Sequence, residues 1–202
     1  MKVSREQVAE NRRTIVEAAG RLFRERGFDA VTVAEIMQAA GLTHGGFYGY
    51  FASKDELFAA ALGEAMTRTT TGPLSDLSIY AADYLSPRHR DDLPGGCPTA
   101  ALAPETIRLE GAARTEVTTG IRQQIERFSR IAPGRTAAQK RRAAIGSWAA
   151  MVGAMILSRA SDDPALSDEL IDETRAWLEA QAKNGGRRRH SRPRSVSLAR
   201  TT

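Results

Sequence analysis

Apolar residues recur every three or four positions through most of this chain, and no run shows the β-branched alternation bounded by tight turns that marks a strand. Ile15, Ala18, Ala19, Leu22 and Phe23 share one helical face, Ser4-Arg5-Glu6-Gln7 reads as a capping box, and Gly27 as a left-handed stop. A first helix is therefore predicted from about Arg5 to Arg26. Thr32-Val33-Ala34-Glu35 is a second capping box, followed by Ile36, Met37 and Ala40 on one face and by Gly41 as the next stop. After Gly41-Leu42-Thr43 a short third helix is predicted with Thr43 as its N-cap. Ser53-Lys54-Asp55-Glu56 then opens a fourth, with Leu57, Phe58, Ala61, Leu62 and Ala65 inward.

Beyond Gly72-Pro73 a helix is predicted over Leu74 to Leu85, and a loop where Pro87, Pro94, Gly95, Gly96 and Pro98 crowd together. Helical spacing resumes from Pro98 to Leu109, and again through Val117, Ile121, Ile125 and Phe128 until Pro133-Gly134 breaks it. Two long segments follow. Ile145, Trp148, Ala149, Val152, Met155 and Ile156 are read along one face of the first, and Leu166, Leu170, Ile171, Thr174, Trp177 and Leu178 along one face of the second. The fold class is all-α: a three-helix helix-turn-helix domain over residues 1–53, a helical bundle over 54–184, and a tail over 185–202.

With 42% hydrophobic residues in 202, the chain can build a sizeable core. No uninterrupted apolar run approaches the ~20 residues that span a bilayer, and the charged start Met1-Lys2-Val3-Ser4-Arg5-Glu6 is no signal segment. A cytoplasmic protein with no membrane partner is expected. The single cysteine, Cys97, suits a reducing compartment. The net charge of +5 suggests an anionic partner, but Arg187, Arg188, Arg189, Arg192, Arg194 and Arg200 lie in the last stretch without an acidic residue. The remainder is close to neutral. The tail is too poor in apolar residues to offset its ordering entropy and is expected to be disordered.

Two short helices around Gly41-Leu42-Thr43, behind a long scaffold helix, have the geometry of a helix-turn-helix whose second helix enters a major groove about 12 Å wide. Phe47 and Phe51 then turn inward onto Leu22, Phe23, Ile36 and Leu57, while His44, Gly45, Gly46, Tyr48, Gly49 and Tyr50 face out. The span from Ile15 to Leu62, with Ile15-Val16-Glu17-Ala18-Ala19, Leu22-Phe23, Gly27-Phe28, Thr32-Val33, Ala40-Gly41, Phe47-Tyr48, Tyr50-Phe51 and Ser53-Lys54-Asp55-Glu56-Leu57, resembles the DNA-binding domain of the TetR family of bacterial transcriptional regulators. The resemblance implies a homodimeric repressor on double-stranded, palindromic operator DNA, with a C-terminal domain that binds an unknown small effector. It puts phosphate contacts on Thr32, Thr43, Tyr48 and Lys54, and base-facing positions on His44, Gly45, Gly46, Gly49 and Tyr50. The glycines are a departure. Gly45, Gly46 and Gly49 each cost a helix about 1 kcal/mol against Ala and offer no side chain to a base, but they let the backbone approach the groove.

Cys97 precedes Pro98, which suits the first position of a helix, and a helix N-terminus lowers a thiol pKa. The Gly96-Cys97 motif resembles that of the TetR branch that includes electrophile-sensing repressors, so Cys97 is the sensor candidate; a small buried side chain that only fills space is the other reading. Tyr80, Tyr84, Phe128, Trp148, Met151 and Met155 are candidates to line an effector pocket. Ala149, Ala150, Gly153, Ala154, Trp177 and Leu178 are candidates for a four-helix dimer interface. No enzyme is expected: His44 lies on the reading helix and His190 in the tail, leaving His89 as a base with no evident orienting group. Neither cofactor nor metal spacing is present. The competing class is a helical ligand-binding or adaptor protein without DNA reading.

Overall fold

A computed structural model describes residues 4–71, 73–108 and 111–187, the last four by backbone alone. Among these the elements are α1 (Arg5–Arg26), α2 (Val33–Ala39), a 3₁₀ segment (His44–Gly49), α3 (Lys54–Thr70), α4 (Leu77–Tyr84), α5 (Pro87–Asp91), α6 (Pro98–Thr106), α7 (Ala112–Ile131), α8 (Ala137–Ala160) and α9 (Pro164–Arg187), with no strand. The fold is all-α, as the periodicity predicts.

The predicted starts and stops recur as hydrogen bonds. Ser4, Thr32 and Ser53 each accept the amide of the residue three positions on, and at Thr32 the cap is reciprocal through Glu35. Gly41 ends α2 with φ +71°, and the Leu42 amide reaches back to the Met37 carbonyl at 2.9 Å, the closure that a left-handed stop permits. Four expectations change. The Leu74–Leu85 helix begins only at Leu77, where Asp76 caps it, and the Pro98 helix ends at Thr106. The loop after Leu85 contains the short α5, because Ser86 caps it and Pro87 supplies its first turn. The last helix runs three residues past the expected tail boundary, to Arg187; the rest of the tail, with Gly72, Leu109 and Glu110, lies outside the described residues.

Two apolar cores are built from these helices. Ile15, Phe23, Ile36, Met37, Phe47, Phe51, Leu57, Phe58 and Leu62 form the first, which also takes in Leu102 of α6 and Val117 of α7. Within it Phe23, Phe28 and Phe58 meet with ring centroids 4.8 to 5.8 Å apart. Tyr84, Leu85, Cys97, Phe128, Trp148, Met151, Met155, Ile171 and Leu178 form the second, between α4, α7, α8 and α9. α3 and α7 pack at close range because Gly120 has no side chain: a Cβ there would lie 2.8 Å from that of Met66.

The two long helices correct the sequence reading. α8 carries two apolar stripes: Trp148, Met151, Ala154 and Met155 are buried, whereas Ile145, Ala149 and Leu157 face outward. On α9, Ile171 and Leu178 are buried, whereas Leu166 and Trp177 are exposed. By length and composition α8 could cross a bilayer, but its Trp148, Met151 and Met155 belong to the second core, as in the core helix of a globular protein.

Candidate functional site

The stretch from Gly41 to Lys54 is held from beneath. Phe47 and Phe51 are almost fully enclosed and stack at 6.0 Å, so the 3₁₀ segment sits on the first core by two aromatic anchors. The sequence predicts a short helix here; the tighter 3₁₀ winding fits the low helical propensity of Gly45, Gly46 and Gly49. On the opposite side Tyr48 is 74% exposed, and Thr43, His44, Gly45 and Gly49 are exposed with it. Thr43 occupies the N-cap position, but its side chain makes no capping hydrogen bond.

Three expected contact residues are turned elsewhere. Tyr50 is half-buried, and its hydroxyl accepts a 2.8 Å hydrogen bond from Asn11 of α1. Lys54 is also half-buried, with its ammonium 4.3 Å from the centre of the Phe28 ring. Thr32 has both polar groups engaged: its amide and hydroxyl donate to Glu35 Oε2 at 2.8 and 2.7 Å. Gly46 is half-buried against Met37. Arg12, missed in the sequence, lies over Phe51 at 4.6 Å and adds a cation beside the segment; its place depends on a contact between distant parts of the chain. An ion pair, Arg26 with Glu35, ties α1 to α2. Hydrogen bonds from Thr32 and then Arg26, whose guanidinium donates at 2.8 Å, pull the Glu35 carboxyl down to about 2.

Around Cys97 the structure assembles groups that the sequence only partly unites. Cys97 is the N-cap residue of α6 and is buried, so the thiol sits at a helix start inside the second core. Its amide donates to His89 Nε2 at 3.1 Å, and His89 Nδ1 lies 2.7 Å from the Tyr84 carbonyl. A carbonyl only accepts, which fixes Nδ1 as the protonated nitrogen and Nε2 as the acceptor. Tyr84 thus supplies the orienting group that the sequence does not reveal, but the free imidazole nitrogen is engaged by backbone. Burial holds His89 below its ordinary pKa. Arg159 of α8 donates to the His89 and Arg90 carbonyls, both at 2.9 Å, and Arg90 pairs with Asp91 and Asp168.

The candidate pocket residues converge as well. Phe128, Met151 and Met155 are fully enclosed, Tyr84 and Trp148 nearly so, and Tyr80 stacks on Tyr84 and meets Phe128 edge-on. Among the described residues, two buried polar atoms there make no hydrogen bond of good geometry: the Tyr84 hydroxyl, which faces the Cys97 thiol, and Gln124 Oε1, near the Tyr80 phenol. Burial pushes the Tyr80 phenol up to about 12 and that of Tyr84 well above its usual range. Of the interface candidates, Ala149 and Trp177 face out and Ala150 and Gly153 are half-buried. Ala154 and Leu178 belong to the protomer's own core, because α8 and α9 meet through them.

Among the described residues, two hydrogen bonds bridge the two regions. Arg24 Nε of α1 donates to the Pro94 carbonyl at 2.7 Å, and Glu105 of α6 accepts the Phe28 amide at 2.8 Å. One of these ties reaches the loop immediately before Cys97.

Residues 15–61 match the family model "Bacterial regulatory proteins, tetR family". The HTH-type transcriptional repressor Rv1474c of Mycobacterium tuberculosis is 40% identical over 67 residues, which cover 33% of this chain and 36% of the relative. The HTH-type transcriptional regulator TtgR of Pseudomonas putida is 42% identical over 59 residues, 29% of this chain and 28% of the relative. The chain thus spans about a third of the length of the curated relatives it matches. Among solved structures, the reduced form of NemR from Escherichia coli superposes with a TM-score of 0.70 at 19% identity, covering 85% of this chain and 96% of that one. A TetR-family regulator from Agrobacterium tumefaciens gives 0.68 at 22% identity, covering 86% and 98%.

Proposed function

The chain belongs to the TetR family, by its N-terminal domain and its fold, and from that premise we propose that it is a homodimeric transcriptional repressor released from a palindromic operator by a small effector. The observation that carries the reading is the two-sided 3₁₀ segment: Phe47 and Phe51 are buried while Tyr48 stands out, beside exposed His44, Gly45 and Gly49. In this reading His44 reads base edges, the glycine backbone approaches the groove, and Thr43 and Tyr48 take phosphates. Tyr50 and Lys54 set the angle of the segment through Asn11 and Phe28. Residues 1–53 are the reading domain and the helices that follow carry effector binding and dimerisation. Two such heads reach half-sites about 34–36 Å apart or a multiple of that spacing.

Tyr48→Ala tests the assignment. Tyr48 supports little of the fold, so melting should stay within about 0.5 kcal/mol of wild type while affinity for an operator recovered by selection falls severalfold in an anisotropy titration. Unchanged affinity would reject it.

The enclosed cluster around Tyr80, Tyr84 and Phe128 is the proposed effector site, with the buried Tyr84 hydroxyl and Gln124 Oε1 to orient a ligand. A second trigger is favoured by a specific observation: Cys97 abuts the loop that Arg24 ties to α1, and a structural neighbour is named for its reduced form. In this reading an electrophile modifies Cys97. With N-ethylmaleimide the thiol sulfur adds to the alkene, forming one S–C bond, and the thiol proton passes through solvent to the neighbouring carbon. Cys97→Ser should bind operator normally and resist release by N-ethylmaleimide; release of the variant at the wild-type rate would eliminate the cysteine trigger. A coupling of ~1–3 kcal/mol would change operator affinity about 5–150-fold.

A further inference from the structure

A cleft of about 400 Å³ opens where α1, α3 and the loop before Cys97 meet, with Arg21 and Arg24, Arg68 and Thr69, and Gly95 and Gly96 on its three walls. Glu17 and Glu64 line it as well, and its charges are unevenly matched. Arg68 pairs with Glu64 at 3.0 Å and Glu17 at 3.6 Å, and Arg21 shares the same Glu17 at 3.8 Å. Arg24 has no carboxylate within 4.0 Å among the described residues; its hydrogen bond there runs from Nε to the Pro94 carbonyl. The acid whose charge acts to compensate Arg24 is Asp92, whose Oδ1 already accepts the Gly95 amide at 2.9 Å. Burial, and after it the neighbouring Arg68, holds Arg24 below its ordinary pKa, as expected for a cation short of solvent and counter-charge.

A guanidinium presents a planar fork of N–H donors, and with Nε on Pro94 the Nη groups of Arg24 remain; Nη1 lies beside Gly20, itself on the cleft wall. We infer that the cleft is a second ligand site, distinct from the enclosed effector cluster, that takes a small oxyanion, a phosphate or a carboxylate, on Arg24 with help from Arg68 and Arg21. The oxyanion supplies the charge that Arg24 lacks and accepts in a forked geometry. Its walls belong both to α1 and α3, which share the first core with the reading segment, and to the loop before Cys97. Occupancy therefore joins the two, and only that regulatory consequence rests on the function proposed above; the binding itself does not.

The test is direct binding to the full chain, without DNA. Sodium phosphate and sodium succinate are titrated by calorimetry and by thermal melting, against sodium chloride at equal ionic strength. Saturable binding with a rise in melting temperature is expected for at least one of the two, and which one binds identifies the class. Arg24→Gln should weaken that binding about tenfold or more. Because Arg24→Gln also removes the tie to Pro94, Arg68→Gln is the second variant: it leaves that bond in place and should weaken binding too. Stabilisation no greater than that of chloride, or identical binding by wild type and both variants, would overturn the site.

Discussion

Glu35 accepts the amide and hydroxyl of Thr32 and the guanidinium of Arg26, so one exposed carboxylate closes the start of α2 and ties it to the end of α1. These bonds hold its pKa at about 2 in the folded chain, against an ordinary 4.5. A carboxylate with a depressed folded pKa contributes its stabilisation in full above the unfolded value, and loses it as pH falls through the folded one. Glu35→Gln should therefore lower the melting temperature most at pH 6 to 7, and the gap from wild type should narrow steadily from about pH 4.5 downward. A gap independent of pH between 7 and 3 would remove the ionised carboxylate from the account. This cap is legible in the sequence because its partners are three residues apart. The surroundings of Tyr50 are not, because Asn11, which donates to it, lies 39 positions away. His89 is illegible for a similar reason: its orientation depends on a backbone carbonyl and a backbone amide, which carry no residue-type signal.

At the level of elements, the sequence announces where the reading segment starts and stops but not how it winds. Gly41, the Ser53 cap that opens α3 and the inward Phe47 and Phe51 fix the boundaries, whereas the choice of 3₁₀ over α winding depends on packing from below and on three glycines. A Cβ at Gly45 or Gly49 would meet nothing within 4 Å, and neither has a positive φ, so the protomer itself gives no reason for glycine at either place. Gly45→Ala and Gly49→Ala should each stabilise the free protein by about 0.5–1 kcal/mol, through lost freedom of the unfolded chain. If the glycines serve close approach to a groove, the same substitutions should weaken operator binding. Melting curves and anisotropy on the same samples decide it: stabilisation with undiminished affinity would leave the glycines without the proposed use. The short α5 shows the same limit, since Pro87 reads equally well as a loop residue and as a first helical turn.

For the whole molecule, the exposed apolar surface is the outer side of α8 and α9. Ile145, Leu157, Leu166 and Trp177 are 42 to 56% exposed there, beside the exposed Ala149 and the half-buried Gly153. Periodicity places apolar residues on α8 but does not divide them between its two stripes, because Trp148 and Ala149 are about 100° apart on the helix, yet one is buried and the other exposed. An apolar face of large residues around small ones suits close approach of a second pair of helices, and covering it by a twofold-related copy requires no other partner. Leu157→Glu combined with Trp177→Glu alters exposed positions, so the protomer should still fold, while light scattering after gel filtration should show it as a monomer. Operator affinity should then fall by about 10²–10⁴-fold, because the second half-site is no longer held at high effective concentration. A variant that remains dimeric would move the interface elsewhere on the molecule. One that becomes monomeric and still binds a full operator as tightly as wild type would show that a single head suffices, and would overturn the two-headed reading of a palindromic operator.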